Sequence, residues 1–198
     1  MDALLYIESQ LLLTDSSGRE AAFRNDPRLR ALLPEVYRLA GVPQSPEYHP
    51  EGDVLTHTLL AVRHLPAGCD RRLAWAALLH DIGKATTTRE IGGRWRAFGH
   101  DRVGADLAEE RLHHLGMAEA ERLDIQWLIR HHMFALSWQV DEQRQLSRRQ
   151  WRFIGDRRFP LLLALMEVDA LAAAASPDKL GRLDFYRQAW KSLAEKNC

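Results

Sequence analysis

The stretch "LAWAALLHDIGK", residues 73–84, runs an unbroken apolar segment into a histidine and an aspartate, and then into Gly83 and Lys84. Leucine and alanine are strong helix formers. A segment apolar on every face belongs to a helix buried all round. Asp70 stands where an N-cap is wanted, so the spacing predicts a helix from there to about His80. Side chains adjacent in sequence do not share a helix face. His80 and Asp81 can therefore reach one point only if the helix ends at them and the chain turns, which Gly83 permits.

Working outward, apolar residues recur at helical spacing almost throughout, and β-branched residues never alternate over any length. The pattern predicts helices over residues 1–13, 27–40, 53–65, 100–115, 118–133, 159–175 and 179–197. "TDSSGRE" reads as a turn and "GVPQSPEYHPEG" as an ordered loop. "TTTREIGGRWRAFG" reads as a loop turning at Gly92–Gly93, and "SRRQWRFIGDRRF" as a short helix with a break. The fold class is all-α. A helical lead-in over residues 1–45 packs on a core domain over 46–198, as one globular unit.

Composition narrows the function. With 27 basic and 27 acidic residues the chain lacks the basic footprint of a broad nucleic-acid binder. Two cysteines, Cys69 and Cys198, form neither a disulfide framework nor a CxxC metal clip, which fits a reducing cytoplasm. The first residues lack the basic region of a signal peptide, and no apolar run is long enough to span a bilayer. Nothing in the sequence sets an oligomeric state.

Of nine histidines, His64, His113 and His114 read as solvated, and His49 as ordering the proline loop. The others converge on a chemistry. Asp169 lies within "LLLALMEVDALAAAA" with no lysine or arginine inside a helical turn. A bare carboxylate buried there costs several kcal/mol unless a positive charge meets it. A metal cation is the economical partner, and imidazole plus carboxylate is a donor set that suits divalent Mn, Fe, Co, Ni, Zn or Mg. His57, His80, Asp81 and Asp169 would then reach one ion from three helices. A second ion, bridged by Asp81, would draw on His100 and on one or both of His131 and His132. Two ions roughly 3.5–4 Å apart are a known device for phosphoryl hydrolysis.

This order of residues, with its "HDIGK" string, resembles the signature of the HD superfamily of metal-dependent phosphohydrolases. "VPQSPEYHPEGDVLTHTLLAV", "WRAFGHDRVGADLAEERLHHLG" and "EVDALA" are similar to segments of the HD domain of bacterial tRNA nucleotidyltransferases, the CCA-adding enzymes. The resemblance covers roughly residues 27–175. Those enzymes also carry a nucleotidyltransferase head with a glycine-rich loop and paired aspartates; "IGGRW" supplies neither, so a free-standing HD domain without nucleotide addition is expected. The paired histidine runs on as "HHMFALSW", unlike the cyclic-di-GMP phosphodiesterases. "AEERL" reads as a solvated helix face rather than the acidic pair of the guanosine-tetraphosphate hydrolases.

The resemblance implies an HD-type helical bundle with phosphatase and phosphodiesterase action on nucleotides, 2′,3′-cyclic ones included. It carries His57, His80, Asp81 and Asp169 over as ligands of the main ion. His100 and His131 carry over toward a second ion or the phosphate, His132 less directly. Asp81 and Lys84 would act in catalysis, Lys84 as a phosphate-facing cation, with Arg102 and Arg130 as further phosphate contacts. The competing reading is a catalytically silent scaffold that grips a tRNA or other RNA end, or a protein partner. Its basis is "WQVDEQRQLSRRQWRFIGDRRF", whose aromatics and arginines could stack bases.

Overall fold

Acidic caps start the first helices. The carboxylates of Asp2, Asp15 and Asp26 accept N–H bonds in the first turns of α1 (Ala3–Leu11), α2 (Ser16–Asn25) and α3 (Pro27–Leu32). The computed structural model describes residues 2–138, 145–173 and 177–196. After α3 come α4 (Pro34–Tyr37), α5 (Val54–Arg63) capped by Asp53, α6 (Arg71–Leu79) capped by Asp70, and α7 (Lys84–Thr87). A hairpin of β1 (Arg89–Ile91) and β2 (Arg94–Arg96) follows. Then come α8 (His100–His114), α9 (Glu119–His131), α10 (Phe134–Ser137), α11 (Arg148–Ile154), α12 (Phe159–Ala172) and α13 (Pro177–Lys196).

The all-α reading holds, since among the described residues helices supply most of the core and the single small hairpin supplies none of it. Three local expectations change. "TDSSGRE" lies mostly in α2, because the Asp15 carboxylate accepts from both Ser17 and Gly18 N–H groups and the fully buried Phe23 anchors the helix. The helix expected over residues 27–40 divides at Pro34, which has no N–H and drives Leu33 out of helical geometry (φ −129°, ψ 56°). The expected loop after Thr88 is a hairpin. Gly92 and Gly93 both take positive φ (59° and 72°), the backbone of a type I′ turn, and antiparallel pairing sets Arg89 opposite Arg96. Every residue of both strands is exposed, and none belongs to the apolar core.

Helix α6 is the central rod. Every residue from Leu73 to Leu79 is buried, and α1, α5, α8, α9 and α12 pack around it. Its Trp75 is fully buried and donates its indole N–H to Glu8 Oε1 of α1 at 2.9 Å. One continuous apolar cluster runs from Ile7 to Ala189. Among the described residues no helix is long and apolar enough to cross a membrane. This packing brings the end of α6, the first half of α5, the start of α8, the end of α9 and the last turn of α12 to one place.

Candidate metal centre and cleft

Helix α6 ends at Leu79, and residues 80–83 form the turn that frees His80 and Asp81 to face the same interior point. Gly83 is required for a different reason than the one expected. Its backbone is ordinary right-handed helical (φ −66°, ψ −22°), so no special conformation is involved. A Cβ there would stand 2.2 Å from the carbonyl oxygen of His100 and 2.7 Å from the amide nitrogen of Gly104. Glycine is needed because α8 docks directly onto this turn, and that close approach carries His100 to the site.

The side chains meet around Asp81. Its Oδ2 lies 3.3 Å from His80 Nε2, 3.8 Å from His57 Nε2 and 2.7 Å from Lys84 Nζ. Its Oδ1 lies 3.4 Å from His100 Nε2 and 3.9 Å from His132 Nε2. Asp169 Oδ1, from α12, is 2.8 Å from His57 Nε2 and 3.7 Å from His80 Nε2. One carboxylate thus joins two imidazole sets. His57, His80 and Asp81 form one group with donor atoms within 4.8 Å of one another, and Asp81, His100 and His132 form another.

Backbone carbonyls set the tautomers. His80, His100 and His132 place Nδ1 at 2.8, 2.7 and 2.6 Å from the carbonyl oxygens of Ala77, Ala97 and Ile129. A carbonyl only accepts, so each Nδ1 carries a proton and each ring turns its Nε2 inward, where it can offer a lone pair to a cation. His80 Nε2 is buried with no hydrogen-bond partner. His100 Nε2 and His132 Nε2 face each other at 3.2 Å, an approach of two lone pairs that only a shared proton or cation relieves. An orphaned nitrogen, opposed lone pairs and a shared carboxylate together fit a divalent metal.

The electrostatics are those of a pocket short of positive charge. Burial opposes ionisation of Asp81, yet the charges of His80, Lys84 and His100 outweigh it and hold the carboxyl well below the usual range. Asp169 behaves alike: burial pushes it up, and the bond with His57 together with the charges of His57 and His80 brings it well below. Burial would keep His80 neutral, but Asp81 and Asp169 overcome it and raise its pKa to about 10. On the other side of Asp81, burial together with His100 and His80 pushes His132 down to about 4.

The remaining expected residues are placed as follows. His131 turns away from its neighbour: its Nδ1 donates to the carbonyl of Trp127, and its ring packs against both Trp127 and Phe153 at centroid distances of 4.5 and 5.3 Å. The structure gathers His132, not His131, into the cluster, because α9 ends there and adjacent side chains diverge. Arg130 pairs with Asp106 at 2.5 Å, and Arg102 is exposed on the first turn of α8 without lining the cleft. Lys84 Nζ is held between Asp81 Oδ2 and Gln44 Oε1, at 2.7 and 2.9 Å.

Two residues of the proline loop were missed as part of the centre. Glu51 Oε1 accepts from His57 Nδ1 at 2.6 Å and from His49 Nδ1 at 2.9 Å. It thereby orients His57 so that Nε2 faces the pocket, the role carboxylates play behind metal-binding histidines. The closely spaced "HPE" before a helix was the available signal; only the fold shows that the loop drapes over α5. The aromatics of the late stretch are also accounted for. Phe153 stacks on Trp127 at 5.3 Å and meets Trp138 at 5.2 Å, Phe159 is fully buried, and Trp151 packs on the core. Trp138, Trp151 and Phe153 are partly buried against the core, and residues 139–144 of that stretch lie outside the described residues.

Beside the cluster opens a cleft of about 480 Å³. Asp81, Lys84, His100, His132 and Asp169 form its floor with His49, and Pro43–Ser45, Tyr48, Thr88, Met133 and the segment 95–98 complete its walls.

With this geometry in hand, comparison with known proteins is informative. The model of the HD domain family matches residues 53–174. Curated relatives include the "Multifunctional CCA protein" of Alkalilimnicola ehrlichii, 47% identical over 88 residues, which are 42% of this chain and 21% of that protein. The protein of the same name from Halorhodospira halophila is 51% identical over 89 residues, again 42% and 21%. That of Aromatoleum aromaticum is 41% identical over 106 residues, 52% of this chain and 26% of that protein. The match thus spans about a fifth to a quarter of the length of these relatives.

Proposed function

The chain belongs to the HD domain family, and from that premise we propose that it is a metal-dependent phosphohydrolase acting on nucleotides, 2′,3′-cyclic ones included. The observation that carries this reading is the Asp81 carboxylate, whose two oxygens face two separate sets of imidazole Nε2 atoms. His57, His80, Asp81 and Asp169 would hold one ion, and Asp81, His100 and His132 a second. A divalent ion held there polarises a phosphoryl oxygen and lowers the pKa of a water toward neutrality.

The protein's own residues do the rest. Glu51 and the three backbone carbonyls fix the imidazoles before any ligand arrives, so the donors need little reorganisation. Asp169 is 28% exposed and opens the cluster to the cleft, where a phosphate ester enters. Lys84, locked in place by Asp81 and Gln44, sets a positive charge beside the phosphate. The leaving oxygen takes its proton from a histidine of the cleft or from solvent. An RNA end carrying a terminal phosphate presents the same chemistry as a free nucleotide.

The test is metal analysis of the purified protein, followed by turnover of nucleoside monophosphates and 2′,3′-cyclic nucleotides with Mn, Fe, Co, Ni, Zn and Mg in turn. Hydrolysis dependent on one of these ions is the expected result. Absence of turnover with every ion and ester would overturn the reading.

A further inference from the structure

The cleft is larger than a phosphate group needs. At about 480 Å³ it falls in the range of sites that enclose a whole small molecule, roughly 300–1,000 Å³. Its outer wall is aromatic. Tyr48 of the proline loop, Trp95 of β2 and Phe98 between the hairpin and α8 all line it, and they are 50%, 39% and 75% exposed. Nine large hydrophobic side chains are exposed among the described residues, three of them aromatic, and all three sit on this wall. Scattered exposed apolar residues need no explanation; aromatic exposure gathered on one cavity does.

These rings are also unused. Trp127, Trp138 and Phe153 stack on neighbours, whereas Tyr48, Trp95 and Phe98 make no ring or cation contact among the described residues. Arg96 lines the same cleft and has no carboxylate partner among the described residues. A flat apolar face next to a free guanidinium, on the rim of a phosphate site, matches a ligand with a flat apolar end and an anionic end.

We propose that Tyr48, Trp95 and Phe98 stack the base of the substrate and Arg96 contacts its phosphate, so that the cleft selects phosphate esters bearing a nucleobase over those bearing only a sugar. This rests on the phosphohydrolase reading and makes the β1–β2 hairpin its specificity element. Stacking tolerates any base, so preference among the four bases is weak. The nucleobase and phosphate can come from a free mononucleotide or from the end of a strand.

The experiment compares three esters on the full-length, metal-loaded protein: adenosine 5′-monophosphate, ribose 5-phosphate, and a trinucleotide with the same terminal phosphate. Both kcat/KM and calorimetric affinity are measured. Either adenine-bearing ester should exceed ribose 5-phosphate by about 10-fold, the worth of one base–aromatic stack. Trp95→Ala should erase most of that ratio through KM, and Trp95→Phe should keep it. A faster trinucleotide places the natural source at a strand end, and a faster monophosphate places it among free nucleotides; either supports the clamp. Equal values for adenosine and ribose esters, or a ratio indifferent to Trp95→Ala, overturns the clamp and leaves the hydrolase standing. If no ester is turned over, the hydrolase reading fails. Calorimetry then decides the clamp alone, by whether a Trp95-dependent preference for the adenine-bearing ester persists.

Discussion

Arg19 and His80 are each 1% exposed, yet their polar atoms have opposite fates. Every nitrogen of the Arg19 guanidinium donates a hydrogen bond. Nε and Nη2 donate to the carbonyl of Leu13 at 3.1 and 2.6 Å, and Nη1 donates to those of Val62 and Leu65 at 2.7 and 3.0 Å. It ties α2 to the end of α5 and offers nothing to a ligand. His80 satisfies one nitrogen locally and leaves the other buried without a partner. Native interiors rarely leave such atoms open. A buried polar group that is closed on all sides holds the fold together, and one left open is waiting for something to bind.

The hardest blow to that contrast is Asp81→Ala. Metal content and turnover should both vanish while circular dichroism shows the helices intact, and the stabilisation by added metal should disappear. For an intact site that stabilisation is about 2.7 kcal/mol at a hundredfold excess over Kd. Full metal content and activity in this variant would remove Asp81 from the site. Arg19→Met makes the complementary cut. It strands carbonyls at the α2–α5 contact and should cost about 3 kcal/mol in urea denaturation, without altering metal affinity in the folded fraction.

A smaller effect separates orientation from ligation. Glu51→Gln keeps the shape but gives His57 a weaker acceptor, and should reduce metal affinity about 10- to 100-fold in a chelator competition. An unchanged affinity would show that Glu51 does not position His57. The smallest change belongs to His131→Ala. Loss of its ring packing against Trp127 should cost about 1 kcal/mol and leave metal affinity within about twofold. His132→Ala, one residue on, should weaken the metal strongly. Were the two results reversed, the direction assigned to the end of α9 would be wrong.

Much of this was legible in residues 73–84. An apolar helix, its capping Asp70 and the adjacent His80–Asp81 pair follow from composition and spacing, because helix formation and burial are read from a local period. The isolated carboxylate at Asp169 was equally visible, since a charge inside an apolar run demands a partner somewhere. Less visible was anything decided by the direction of one side chain against its neighbour. "HH" at residues 131–132 states that a helix ends in two imidazoles; which of them faces the pocket depends on the phase of α9 against α6 and α8. The hairpin escaped as well. Its strands have three residues each, too short for alternation to register, and the positive φ of Gly92 and Gly93 alone organises them.

By itself, then, the sequence determined that the chain is helical, that its central helix is buried, and that histidines and aspartates stand near helix ends with a donor set suited to a divalent metal. Those are properties of period and composition, local to a few turns. Tertiary structure decided which of them meet. It placed Asp81 between two imidazole sets and brought Glu51 behind His57. It also made Gly83 a point of contact with α8 rather than a flexible joint, and set three aromatics around the mouth of the cleft. These depend on helices far apart in the chain packing at fixed distances, and no local pattern encodes that distance.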